Sequence, residues 1–174
     1  MPDPVTCIVE ITQNGQWFSP LAILVSAIGG GSIAWRAMNA NREIARKRAT
    51  LDVILKSESD EYFERIFTVF VSEKKRASGL EALLSAETDG ENKARLEVDN
   101  FLNHYELIAI SINQNILDEE FYKEWMQSSY VKHYKESKNY IEGARKEDPR
   151  AYICFQELAE KWNKDIEAKK ACQS

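Results

Sequence analysis

From Trp17 to Trp35 the chain runs through apolar and small neutral residues without a single charge. A helix rises about 1.5 Å per residue, so this run would reach about 28 Å, close to the ~30 Å hydrocarbon thickness of a bilayer. Tryptophan stands at both ends, where an amphipathic ring favours the membrane–water boundary. The pattern predicts a transmembrane helix over 17–35, preceded by a short extracytoplasmic tail, 1–16, that carries Pro2, Pro4 and Gly15. Inside the run, Ala22, Ser26, Gly30 and Ala34 recur every four residues. Small residues at that spacing let a second helix approach closely, so this face is expected to pack on another span. The plainer alternative is that Gly29, Gly30 and Gly31 are ordinary residues of a membrane helix.

Beyond residue 35 the apolar positions take helical spacing. Residues 36–58 read as a basic juxtamembrane helix. Ala37, Ile44 and Leu51 lie seven apart, followed by Ile54 and Leu55. Such a stripe serves a short coiled coil or an ordinary face against the domain. Residues 59–170 read as a helical bundle, with a tail at 171–174. Asp60 is placed to cap a helix carrying Tyr62, Phe63, Ile66, Phe67, Val69 and Phe70. Ala77-Ser78-Gly79 interrupts it, Leu80, Leu83 and Leu84 continue it, and Thr88-Asp89-Gly90 is a turn signal. A central helix is expected over 91–113, with Phe101, Tyr105, Ile108 and Ile112 on one face. Leu102, Leu107, Ala109 and Ile110 widen that face nearly all round, as in a buried helix. Asn115 can take the left-handed conformation. Asp118 caps a helix with Phe121, Tyr122, Trp125 and Met126, and a further helix carries Tyr130, Tyr134, Tyr140 and Ile141. Asp148-Pro149 is read as the start of the last helix, which bears Tyr152, Phe155, Leu158, Ala159, Trp162 and Ile166. Alternating Val/Ile/Thr runs are absent, so the expected fold is all-α, with about five or six helices in the bundle.

Charge sets the orientation. No Lys or Arg precedes Arg36, whereas 36–48 holds Arg36, Arg42, Arg46, Lys47 and Arg48 against one acid, Glu43. Positive residues stay inside, so the N-terminus is expected outside and the bundle in the cytoplasm, at the inner membrane. The five cations are expected to meet anionic headgroups. Beyond residue 48 there remain 18 basic and 25 acidic residues, and an acidic body disfavours nucleic acid as a partner. A cleaved signal peptide fits poorly, because the segment before the run carries Asp3 and Glu10 and no cation. Cys7, Cys154 and Cys172 show no paired spacing, and Cys154 reads as a small core residue.

Candidate chemistry is sparse. There is no phosphate loop, no His-Glu-x-x-His and no Cys/His cluster at metal spacing, so no catalytic residue, cofactor or metal is assigned. His104 and His133 lack the Arg-x4–6-His spacing of helical ribonucleases. His104 and Glu106, two apart on a helix, point away from each other. Glu106 interrupts a mostly apolar stretch, and a buried carboxylate needs a cation or several donors. Arg65 and Arg145, on other helices, are its candidate ion-pair partners; acid–base or ligand-binding use is the alternative.

Four segments carry a family resemblance: Arg48-Ala49-Thr50-Leu51-Asp52, Leu102-Asn103-His104-Tyr105-Glu106-Leu107-Ile108-Ala109, Ile116-Leu117-Asp118-Glu119, and the stretch from Tyr152 to Trp162. Together they resemble an uncharacterised family of bacterial and phage-borne single-span membrane proteins with a cytosolic helical domain. There is also a distant similarity to putative phage abortive-infection proteins. The resemblance implies no catalytic role. The expected function is a non-enzymatic, membrane-anchored interaction module at the inner leaflet, working through membrane lipids and either a homodimer or a membrane-protein partner. A membrane-acting effector in phage defence or stress response is the alternative, and an enzyme with an unrecognised site is the lesser one.

Overall fold

The structure is a computed structural model and describes residues 18–172, with side chains from residue 29 onward. Its elements are α1 (Phe18–Ser59), α2 (Glu61–Lys74), a 3-10 helix (Leu80–Ser85), α3 (Asp89–Asn113), α4 (Glu119–Ala144) and α5 (Ile153–Ala171). No strand occurs among the described residues, in keeping with the all-α expectation.

The chain divides into two compact units, Met1–Ile44 and Ala45–Ser174. In the first, residues 29–44 are exposed throughout, Ile33, Trp35, Met38 and Ile44 among them. Gly30 and Ala34 of the small-residue ladder are exposed; the side chains of Ala22 and Ser26 lie outside the described residues. Among the described residues no helix is long and apolar enough to cross a membrane. The side chains of 18–28, which make up most of the expected span, lie outside them, as do Trp17 and the 1–16 tail.

The second unit starts at Ala45, so residues 45–58, read from sequence as juxtamembrane, contribute to the bundle. Its helices begin where short polar side chains can take up orphan N–H groups. Asp60 accepts the Tyr62 N–H at 2.9 Å and separates α1 from α2. Thr88 and Glu91 form a capping box that starts α3 within the expected turn. Asp118 accepts the Phe121 N–H at 3.1 Å and starts α4. Asn115 has φ 56°, the left-handed residue that lets α3 end.

α3 lies at the centre and buries Val98, Phe101, Leu102, Tyr105, Ile108, Ala109 and Ile112. It packs on α2, α5 and the 3-10 helix, while α4 packs on α5 and the 3-10 helix. The core is mainly aromatic. Phe70 of α2 stacks on Phe101 with centroids 4.3 Å apart, Tyr105 on Phe155 at 5.3 Å, and Tyr130 lies 4.9 Å from Trp162. Fully burying one such ring contributes roughly 1.5–3 kcal/mol. Gly143 of α4 sits so close to Leu84 that an added Cβ would collide with that side chain.

Four sequence expectations need correction. α4 is one helix rather than two, because Tyr122, Tyr130, Tyr134, Ser137 and Ile141 form an unbroken buried stripe and nothing between them breaks a helix. α5 starts at Ile153 rather than Pro149: residues 149–152 form turns, and Tyr152 sits before the helix with φ 58°. α3 is not buried all round, since Leu96 and Leu107 are exposed. In α1 the seven-residue stripe is not the face that packs: Ile44, Leu51 and Leu55 are exposed, whereas Thr50 and Ile54 are buried.

Trp162→Ala should lower stability by about 3–5 kcal/mol and Leu107→Ala by less than about 0.5 kcal/mol, read by urea unfolding. Leu102→Ala, on the covered side of the same helix as Leu107, should cost about 2–5 kcal/mol, and losses at Leu102 and Leu107 of equal size would contradict the one-sided burial of α3.

Candidate functional site

Of the side chains singled out as chemistry-bearing, Glu106 and Arg145 bond to the start of α5 and the connection before it, whereas His104 and His133 lie beside Tyr105. Glu106 is half-buried on α3, next to Tyr105 at the core centre. Its Oε2 accepts the Phe155 N–H at 2.6 Å and its Oε1 the Cys154 N–H at 3.2 Å. These are the second and third residues of α5. Tyr152, at the cap position, makes no side-chain cap bond. A helix start leaves its first N–H groups without intrahelical partners and carries partial positive charge. Glu106 supplies from another helix the acceptor that α5 lacks locally.

The expected ion pair of Glu106 with Arg145 or Arg65 is not formed. Arg145 is the C-terminal cap residue of α4 and turns back on the connection to α5. Its Nε donates to the Ala151 carbonyl at 2.9 Å, Nη2 to the Tyr152 carbonyl at 3.2 Å, and Nη1 to Gln156 Oε1 at 2.5 Å. Arg65 pairs with Glu97 of α3 at 3.2 Å and lies over the Tyr62 ring at 5.0 Å. The two arginines therefore satisfy other groups, and backbone donors do for Glu106 what a cation was expected to do. No Ser, Thr, Asp or Asn stands at the true start of α5, so its N-terminus takes an acceptor from elsewhere, and the cap-like Asp148-Pro149 hid this in the sequence.

A second junction escaped the sequence reading. Thr50, fully buried on α1, accepts the Asp118 N–H at 2.8 Å and donates to the Arg46 carbonyl at 2.9 Å. Asp118 Oδ2 accepts from Arg46 Nη2 at 3.1 Å while Oδ1 caps α4. Arg46, expected at the headgroups, is thus bound to the bundle; Arg36, Arg42, Lys47 and Arg48 are exposed.

The two histidines flank Tyr105. His133 is buried, its Nδ1 hydrogen-bonded with Tyr105 Oη at 2.9 Å, its ring among Phe67, Phe70 and Phe101. His104 lies 4.7 Å from the Phe63 ring and 3.5 Å from Ser57 Oγ. Burial pushes both imidazoles down to about 4; for His133 the nearby Lys74 and Lys132 add to burial and Glu136 opposes it. Burial also raises the Tyr105 phenol well above its usual range. At Cys154, burial and then the Glu106 carboxylate hold the thiol up, against nucleophilic use. Among the described residues no group of three or more His, Cys, Asp or Glu is placed to hold a metal ion.

These contacts define an all-α domain whose polar side chains cap helices and clasp the corners between them. The chain belongs to the DUF4760 family, described as a domain of unknown function, which matches residues 23–162. That match begins inside the uncharged run and takes in the basic cluster and the bundle through Trp162. No curated protein and no solved structure matches the chain.

Both histidines bind protons near pH 6.5 when unfolded but only near pH 4 in the fold. Between those values the unfolded chain holds more protons, so stability falls as pH drops through the window and levels off below it. The loss is roughly 3 kcal/mol per ring at about 1.4 kcal/mol per pH unit. Urea midpoints measured from about pH 7 to about pH 4 should decline steadily; a constant midpoint would contradict buried neutral rings.

Proposed function

We propose that this chain is a membrane-anchored helical interaction module, held at the inner leaflet with its acidic bundle in the cytoplasm. The observation that carries the reading is the order of elements along one helix. An uncharged run, a basic segment and a bundle-packing segment follow one another within α1, without a break from Phe18 to Ser59. Exposed Trp35, Arg36 and Arg42 suit a headgroup layer, in which an aromatic ring and cations find both apolar and anionic partners. Arg46 and Thr50 then tie the same helix to α4 at Asp118.

Use as a binding module rather than an enzyme is supported by what the chemistry-bearing side chains do. Glu106, Arg145 and both histidines are spent on caps, corners and core contacts. The partner is a second copy through the Ser26 and Gly30 face, or another membrane protein. Tethering would raise the local concentration of either without any new contact.

The full chain should sediment with membranes, resist alkaline carbonate extraction and enter solution only with detergent, while a chain lacking residues 17–35 should lose membrane association. Recovery of the full chain without detergent would contradict the anchor.

A further inference from the structure

We propose that the cleft between α2 and the first turns of α3 binds a small zwitterion, with its ammonium group on Glu97 and its acid group on Arg76 and Lys93. The cleft has a volume of about 510 Å³, within the size range of small-molecule sites. Its charges are layered. The carboxylates of Glu73 and Glu97 lie deep, with side chains 5% and 11% exposed, whereas the guanidinium groups of Arg76 and Arg65 stand at the rim, each side chain 57% exposed. Lys93 and the capping-box Glu91 complete the lining, which makes three cations against three carboxylates. A neutral ligand with separated charges matches that arrangement; a simple anion or cation does not.

The specific pointer is one atom. Arg76 Nη1 forms an ion pair with Glu73 Oε2 at 2.9 Å and Arg65 Nε one with Glu97 Oε1 at 3.2 Å. Glu97 Oε2 is buried and accepts no hydrogen bond, on a residue only 8% exposed that lines the cleft. A buried carboxylate oxygen without a donor is costly, and native folds nearly always supply one. An ammonium group brings three donors on a compact centre, and it meets this oxygen once the Arg65 side chain, 57% exposed, swings aside. A hard divalent cation wants about six oxygens, far more than this one atom offers.

The acid end is received by the rim. Arg76 and Lys93 line the cleft near the start of α3 and supply the cations for the acid group. Nothing lies within 4 Å of where a Cβ at Gly90 would sit, so that backbone is open to approach. The shared chemistry is a primary ammonium joined to a carboxylate or phosphate, as in a free amino acid or an ethanolamine phosphate headgroup. The inference is independent of the membrane anchor.

Calorimetric titration of the full chain in detergent tests it, with L-alanine, phosphoethanolamine, ethanolamine and inorganic phosphate as probes. At least one zwitterion should bind about tenfold more tightly than either half-ligand. Alanine alone binding indicates a free amino acid; phosphoethanolamine alone indicates a headgroup. Glu97→Gln should weaken that binding about tenfold. Gly90→Leu, which keeps every charge and fills the cleft from a helical position with room for it, should do the same while leaving thermal unfolding intact. No binding by either zwitterion, equal binding by a half-ligand, or binding unaffected by Gly90→Leu would overturn the proposal.

Discussion

The bundle depends on a constraint every packed helix shares: the first N–H groups have no partner within the helix and must find one before they can be buried. α5 meets it with a side chain from another helix. Glu106 reaches from α3 to the N–H groups of Cys154 and Phe155, and so fixes where α5 begins and how it lies on the aromatic core. The consequences follow outward from that contact. Phe155 is set against Tyr105 and Tyr130, Trp162 falls beside Tyr130 two turns on, and Arg145 closes the corner by binding three acceptors between residues 151 and 156. A net worth of about 1.5–3 kcal/mol for a hydrogen bond to a charged group is small beside the total burial, but it is directional, and burial is not.

The same device is repeated where α1 meets α4. Asp118 caps its own helix through one oxygen and receives Arg46 through the other, while its backbone N–H goes to Thr50. One residue thereby joins the end of the basic segment to the body of the bundle. The directional bonds of Arg46 and Thr50 thus fasten the part of α1 that follows Ile44 to the bundle. Membership of the DUF4760 family, over residues 23–162, means that the joined pieces occur together as one family unit.

How much of this could be read from the chain alone depended on the range of the interaction. The caps at Asp60 and Asp118 and the left-handed Asn115 were legible, because a cap bonds within three residues and a turn within four. The all-helical class was legible from apolar spacing. The exposed side of α3 was not: Leu96 and Leu107 carry the same apolar signal as Leu102, and only the placement of neighbouring helices decides which is covered. The isolation of Glu106 within an apolar stretch rightly marked it as a residue with a partner. The partner was misassigned because a backbone N–H 48 residues away leaves no trace in side-chain composition, whereas an arginine does. The start of α5 was misplaced for the same reason. Asp148-Pro149 has the local form of a helix start, yet the cap that operates is tertiary.

Amide hydrogen exchange at Cys154 and Phe155 in the full chain tests the central claim most directly. Amides at the second and third positions of a helix ordinarily exchange fast. With Glu106 as their acceptor, both should be protected to nearly the level of Leu158 in the body of α5, and Glu106→Ala should strip protection from these two while Leu158 keeps most of its own. Exchange at free-chain rates in the unaltered protein would contradict the account.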